Sequence, residues 1–334
     1  MKCAVLAITK GGCRIGKKLA EHLPGARFFN CRGRLREILS QAWQEYEGLI
    51  CIMASGIVVR TIAPLLVDKR KDPAVVVCDE KGEFAISLVS GHLGGGNILA
   101  SKVAAILQGQ AVITTASDVL GHIALDLWAT ELGLQAADKE GFTKVMGQLV
   151  NNGTVTVYSE YPLPELPPDI LPATTAETAD LIVTSRTSGR TGGVLLHPRS
   201  LVAGVGCNRG TGARDIGDAL AEACELNGLA LASIRNLASI DLKKDEQGLL
   251  DFAAYSGYSI DFFNRDQLNG VQGVSTSAVV LKATGAKGVA EPAAVLSADN
   301  GALIVRKMKW TDVTIAIAEV ASPWSEQDRE QLIS

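Results

Sequence analysis

Phe84-Ala85-Ile86-Ser87-Leu88-Val89 leads into Ser90-Gly91-His92-Leu93-Gly94-Gly95-Gly96-Asn97, and Ile98-Leu99-Ala100-Ser101-Lys102-Val103-Ala104-Ala105-Ile106-Leu107 follows. The first six residues have the apolar, β-rich character of a strand, and the last ten that of an amphipathic helix. Glycines disfavour both elements, so a loop joins the two. Strand, glycine loop and helix together are the repeating unit of α/β folds. A loop of this kind points the unpaired N–H groups of the helix start outward, where the helix dipole favours an anion. His92 adds a group that carries protons near neutral pH. The stretch is therefore expected to offer an anion cradle and an acid–base group together.

Similar units recur on both sides. Cys3–Ile8 reads as a strand, Thr9–Gly16 as a loop, Lys17–Leu23 as a helix and Ala26–Phe29 as a second strand. Gly11-Gly12-Cys13-Arg14-Ile15-Gly16-Lys17-Lys18 has glycines and a lysine at P-loop spacing, but Lys18 stands where a magnesium-holding Ser or Thr belongs. It reads as a tight basic turn before a helix. Leu35–Tyr46 is a predicted helix, Leu49–Met53 a buried strand, and Ser55 and Gly56 a small-residue turn into the helix Ile57–Ala63, with Arg60 near its first turn. Asp68–Asp72 is a charged loop, and Asp79–Glu83 carries the turn chemistry of a hairpin between Ala74–Cys78 and Phe84–Val89. Ala111–Asp118 reads as a strand running into Thr114, Thr115 and Asp118, followed by a helix from His122 to Leu132. In open α/β sheets ligands bind beyond the carboxyl ends of strands, which places these three residues near the His92 loop.

Phe142–Val150 is a predicted helix and Thr154–Tyr158 a strand; five of the 11 prolines then fall between Pro162 and Pro172. That density excludes a helix or a central strand and reads as a linker or extended connection. Leu181–Ser185 and Val194–His197 read as a hairpin. From Leu201 the pattern restarts: strand Leu201–Val205, loop Gly206-Cys207-Asn208-Arg209-Gly210-Thr211, helix Ala213–Leu226 and further alternating elements to Ala318. The expected fold class is α/β, two domains with mainly parallel sheets (residues 1–136 and 201–334) joined by a small proline-rich middle segment (137–200).

With 334 residues, 47% of them hydrophobic and 20% charged, the chain has the composition of a globular protein of more than one domain. A net charge of −4 offers no broad basic surface, so nucleic acid is not an expected partner. No apolar run has membrane-spanning length and no signal peptide is visible, which gives the cytoplasm as the expected location. Seven cysteines without a Cys-x-x-Cys pair point to neither a disulfide framework nor a zinc site. There is no Gly-x-Ser-x-Gly elbow and no His-Glu-x-x-His. What remains is a set of glycine-rich turns with basic residues, suited to a ligand with several carboxylates bound between two lobes.

The chain resembles the cobalt-precorrin-5A hydrolase family. Met53-Ala54-Ser55-Gly56-Ile57-Val58-Val59-Arg60 with Ala63-Pro64-Leu65-Leu66, and then Asp72-Pro73-Ala74-Val75, are similar to its opening blocks. Ser90–Asn97 and Thr114-Thr115-Ala116-Ser117-Asp118 continue the resemblance. Gly204–Thr211, Ser239-Ile240-Asp241-Leu242-Lys243 and Gly288-Val289-Ala290-Glu291 match its C-terminal block. Gly96 and Ser117 are departures, where the family usually has Ala and Thr.

The resemblance implies a reaction of anaerobic cobalamin synthesis. A lactone on a cobalt-containing tetrapyrrole opens, and the extruded carbon leaves with its methyl group as acetaldehyde, giving cobalt-precorrin 5B. It implies no protein-bound cofactor, since the substrate carries the cobalt, and other enzymes of the pathway as further partners. His92 is the expected general base, oriented by Asp118, with N–H groups from Gly94 to Asn97 for the oxyanion and Glu291 as second base or acid. The expected substrate-binding set is Ser55, Gly56, Arg60, Gly91, Gly94, Gly95, Gly96, Asn97, Thr114, Thr115, Gly206, Cys207, Arg209, Gly210 and Thr211. A non-catalytic corrinoid carrier and a nucleotide-using α/β enzyme are the competing expectations.

Overall fold

The computed structural model describes residues 1–68, 71–187 and 192–324. Lys69 and Arg70 of the predicted charged loop, and part of the predicted turn between Arg186 and Gly193, lie outside the described residues. The chain divides into two compact units, Met1–Trp128 and the remainder from Ala129.

The first unit runs β1 (Cys3–Ala7), α1 (Lys10–His22), β2 (Ala26–Asn30), α2 (Leu35–Glu45), β3 (Gly48–Ile52), α3 (Ser55–Ile62), β4 (Ala74–Cys78), β5 (Phe84–Val89), α4 (Gly96–Leu107), β6 (Gln110–Val112) and α5 (Ala116–Leu120), and its boundary falls within α6 (Leu125–Glu131). Its six strands are ordered β2-β1-β3-β4-β5-β6. Alternate residues of β1, β3 and β4 face opposite sides, as strand geometry requires. Val5, Ile50 and Val76 pack with Leu19, Leu99 and Val103 on one face. Leu6, Leu49 and Val75 pack with Leu39, Trp43 and Val58 on the other. Strands β1 to β4 are parallel, whereas β5 runs antiparallel to β4 and β6 parallel to β5. The last two strands therefore end at the edge of the sheet where β1, β3 and β4 begin.

Gly11–Lys18, read as a basic loop, lies inside α1. Thr9 caps this helix, its hydroxyl accepting from Gly12 N–H at 3.0 Å. The glycines serve close packing instead of a turn: a Cβ on Gly16 would stand 2.6 Å from the Phe28 ring, and one on Gly12 3.2 Å from Ile52. With its N–H groups inside a helix, this stretch is no phosphate-binding loop.

The second unit opens with β7 (Gln135–Ala136), α7 (Lys139–Asn152), β8 (Val155–Ser159), β9 (Ile170–Pro172), β10 (Leu181–Val183) and β11 (Val194–His197). These strands form a sheet of order β7-β11-β10-β8-β9, so the middle segment has a sheet of its own. Pro172 is tolerated because β9 is an edge strand. The predicted hairpin of β10 and β11 is a parallel pair. Its connection leaves the sheet, where Arg186 bridges Leu229 and Thr187 N–H reaches Gly228 O at 2.9 Å.

A third sheet follows, built by β12 (Leu201–Cys207), α8 (Ala213–Leu226), β13 (Ile234–Ile240), α9 (Gln247–Ser256), β14 (Ile260–Phe263), α10 (Arg265–Gly270), α11 (Ala278–Thr284), α12 (Ala290–Ser297), β15 (Ala302–Lys309) and β16 (Val313–Glu319). Its order is β14-β13-β12-β16-β15, with β16 antiparallel to both neighbours. Small residues bring α12 onto the sheet: a Cβ on Gly204 would fall 1.9 Å from Ala290 O.

Two polar links tie this sheet to the middle one. The Tyr161 hydroxyl donates to Glu319 Oε1 at 2.6 Å, as does Ser185 Oγ at 2.7 Å, with Ser200 Oγ 3.0 Å from the tyrosine oxygen. Beyond β16, Trp324 Nε1 donates to Leu132 O at 2.9 Å. Among the described residues, no helix is long and apolar enough to cross a membrane.

Candidate functional site

The loop after β5 is built by close packing. Ser90 takes a left-handed backbone (φ 56°), anchored by its hydroxyl on Asp72 O at 2.9 Å, and Gly95 takes another (φ 76°). A Cβ on Gly94 would fall 2.3 Å from Ser90 Cβ, and one on Gly91 2.8 Å from Asn97 Oδ1. The loop also consumes its own donors. Gly95 N–H goes to His92 O (2.8 Å), Gly96 N–H to Ser90 O (2.9 Å) and Asn97 N–H to Gly91 O (2.9 Å). The expected oxyanion hole from Gly94 to Asn97 thus narrows to the Gly94 N–H. Gly96 and Asn97 form the first turn of α4 and are buried.

His92 meets the segment after β6 as the sequence anticipates. Its Nε2 lies 2.7 Å from Asp118 Oδ2 and 3.3 Å from Ser117 Oγ. Its Nδ1 lies 3.5 Å from Asp126 Oδ1. Asn97 Nδ2 donates to the same Asp118 Oδ2 at 2.9 Å and to Thr115 Oγ1 at 3.3 Å. Thr114 is exposed and stands outside this cluster. The strand expected over Ala111–Asp118 ends at Val112, and Ala116 begins α5, which sets Asp118 in a helical first turn. His122 precedes α6 instead of starting it, its N–H donating to Ser117 O at 2.8 Å. Neither Asn97's bond to Asp118 nor Asp126 was evident in sequence; Asp126 carries no motif and reaches His92 only through the turn at residues 121–124.

Ser55, Gly56 and Arg60 do not join this cluster. They follow β3, whose carboxyl end lies opposite the edge from which His92 emerges, because β5 reverses direction. Ser55 and Gly56 are the first residues of α3, and Arg60 belongs to its last turn, exposed, instead of its first.

In the second unit, Gly206 and Cys207 end β12 and, with Arg209, line a cavity of about 660 Å³. Lys243, Lys307 and Trp310 face the same space, with Glu291 in its wall. The protein's own carboxylates occupy part of the expected anion loop. Gly210 N–H donates to Glu246 Oε1 at 2.8 Å, and Arg209 Nη1 to Asp245 Oδ1 at 2.7 Å. Thr211 is buried, its hydroxyl bound to Asn208 O. Burial pushes the Cys207 thiol upward, which lowers its thiolate content and disfavours a nucleophilic role.

Glu291 is 2% exposed, in the first turn of α12. Burial alone would raise its carboxyl, but hydrogen bonds from Lys307 N–H (2.9 Å), Ser275 N–H and Ser275 Oγ (3.0 Å) outweigh that and hold it below the usual range. A carboxylate so engaged anchors the 271–277 segment to β15 and is a poor proton donor.

Fold and site define an α/β protein with a histidine–carboxylate pair in one unit and a basic cavity in the other. Three family models match in register: "Cobalamin synthesis G N-terminal" over residues 37–118, "Cobalamin biosynthesis central region" over 123–198 and "Cobalamin synthesis G C-terminus" over 201–318. The cobalt-precorrin-5A hydrolase of Priestia megaterium is 37% identical, covering 94% of each chain. That of Salmonella typhimurium is 33% identical, covering 94% of this chain and 96% of its own. A solved cobalamin biosynthesis protein G homolog from Sulfolobus solfataricus matches 95% of this chain and 96% of its own at 21% identity, with a TM-score of 0.38. The chain belongs to the cobalt-precorrin-5A hydrolase family.

Proposed function

We propose that this protein hydrolyses the lactone of cobalt-precorrin 5A and releases acetaldehyde. The 37% identity to the Priestia megaterium hydrolase over 94% of each chain carries the reading, and the His92–Asp118 contact at 2.7 Å is suited to the acid–base chemistry that it needs. Lactone opening requires a water that loses a proton as it attacks and a donor for the oxyanion. The His92–Asp118 pair takes the proton, and Gly94 N–H, which has no intramolecular partner among the described residues, is free to face the oxyanion. Opening frees a hydroxyl on the methyl-bearing carbon. When that hydroxyl loses its proton, the C=O bond of acetaldehyde forms and the bond to the macrocycle breaks, its electron pair passing into the conjugated system of the macrocycle.

The cobalt is part of the substrate in this reading, and no further cofactor is required. Lys307 and Lys309 line the second-unit cavity beside Arg209 and Lys243, which Asp245 and Glu246 hold, and such cations suit carboxylate groups like the acetates and propionates of a macrocycle. The deciding experiment incubates the purified protein with the cobalt-containing lactone macrocycle and follows acetaldehyde with the matching loss of mass. Release supports the hydrolase; tight binding without release makes the protein a carrier.

A further inference from the structure

We propose that Asp118, through Oδ1, is the atom that takes the proton from the attacking water, and that His92, Asn97 and Asp126 are positioning residues around it. The proposal rests on the lactone-hydrolase reading above. Both donors that reach Asp118 land on the same oxygen, with His92 Nε2 at 2.7 Å and Asn97 Nδ2 at 2.9 Å from Oδ2. A carboxylate oxygen only accepts, so Nε2 carries its hydrogen and has no lone pair for a water. The other ring nitrogen faces Asp126 Oδ1 at 3.5 Å. Asp118 Oδ1 has no protein partner among the described residues. Exposure follows the same order: the Asp118 side chain is 37% accessible, His92 18% and Asp126 12%.

Asn97 adds an independent observation. It is 7% exposed, and its Oδ1 is buried without a hydrogen-bond partner. Turning the amide over would set that oxygen against the Asp118 carboxylate, so the orientation is fixed by Asp118 at the expense of an unmet acceptor. A buried polar atom left unpaired in order to aim its neighbour marks a site shaped for something other than stability.

In the step assigned here, a water proton moves to Asp118 Oδ1 as the water oxygen bonds to the lactone carbonyl carbon. The ring C–O bond then breaks, and the proton passes from Asp118 to the departing oxygen. The products are a carboxylic acid and a hydroxyl, with Asp118 restored. Ser117 Oγ, 3.3 Å from Nε2, faces a donor and is not activated as a nucleophile.

The test measures acetaldehyde release by the full chain in Asp118→Ala, Asp118→Asn, His92→Gln, Asp126→Asn and Ser117→Ala, with and without sodium formate. Asp118→Ala and Asp118→Asn are expected to lose about 10³-fold in kcat, within the range for a general base. Formate should restore at least about tenfold to Asp118→Ala, where it fits the vacated space, and nothing to Asp118→Asn. His92→Gln, which keeps a donor toward Oδ2, should fall about tenfold in kcat with KM unchanged, and Asp126→Asn less. Ser117→Ala should stay near the parent rate. Several outcomes overturn the proposal. One is Asp118→Asn within tenfold of the parent while His92→Gln loses turnover, which makes His92 the base. A second is an ester on Ser117 in acid-quenched protein. A third is no formate rescue of an Asp118→Ala protein that keeps the parent melting temperature. A parent protein that releases no acetaldehyde removes the hydrolase reading and the proposal with it.

Discussion

Asn97 closes the glycine run, and the sequence places it among the groups that meet the ligand; the structure buries it and turns its amide onto Asp118. The pairing of His92 with Asp118 was legible because both follow strands that end at one edge of the sheet. The role of Asn97 was not, because a helix-start asparagine reads the same whether it faces ligand or carboxylate. Glycines divide similarly between those that turn the chain and those that admit a neighbour. Gly204 is of the second kind, and Gly204→Ala is expected to destabilise the protein by about 1–3 kcal/mol through overpacking, since the new methyl would meet Ala290 O at 1.9 Å. Urea denaturation read against the parent checks this. Gly91→Ala would press on Asn97 Oδ1 from 2.8 Å. It is expected to lower kcat more than it lowers the melting temperature, measured by acetaldehyde release beside a thermal melt.

At the scale of elements, most strands and helices of the third sheet were readable, because α8 and α9 carry apolar faces at helical spacing and β12, β13 and β16 are short buried runs. Two misreadings share one cause. Glycine content makes Gly11–Lys18 read as a loop, yet Thr9 caps it as a helix and the glycines admit Phe28 and Ile52. Strands β10 and β11 looked like a hairpin because they are close in sequence, but the partners of their connection lie forty residues on, at Gly228 and Leu229. Local patterns do not report long-range contacts. ATP titration of the full chain should show no binding, as Thr9 already takes the Gly12 and Cys13 N–H groups at the start of α1 and no glycine loop is left to wrap phosphates.

Glu291, by contrast, has a consequence for α12 that depends on pH. Its carboxyl is held low in the folded state, so it contributes stability that is present above the unfolded carboxylate range, near pH 4.3, and is lost as pH falls through the lower folded value. Glu291→Gln is expected to cost about 1–3 kcal/mol at neutral pH, since an amide nitrogen replaces an acceptor that N–H groups face. The difference from the parent should shrink in acid, in urea midpoints taken from pH 7 down to pH 3.

At the scale of the molecule, each unit has its own core, and the first is wound on both faces of a six-stranded sheet. Leu6 is fully buried there, and Leu6→Ala should remove about 2–5 kcal/mol from the unfolding of that unit. Calorimetry should show the loss in one transition while a second, belonging to the residues from Ala129, stays in place. The alternating strand–helix order made this architecture visible, but the reversal at β5 decides which loops can meet. The hairpin at Asp79–Glu83 is legible in the sequence, and it already implies that Ser55 and Arg60 emerge at the far edge from His92.

The Trp324–Leu132 hydrogen bond and the Tyr161–Glu319 contact join the beginning of the second unit to its end. A ribosome delivers residues in order, at about 5–20 per second. The middle sheet, made of residues 135–197, must therefore wait on the order of ten seconds or more for the last strand before its hydroxyls and carbonyls find these partners. During that interval it is a nascent structure with its polar groups still in water, and Glu319 and Trp324, made long after it, are the residues that meet them.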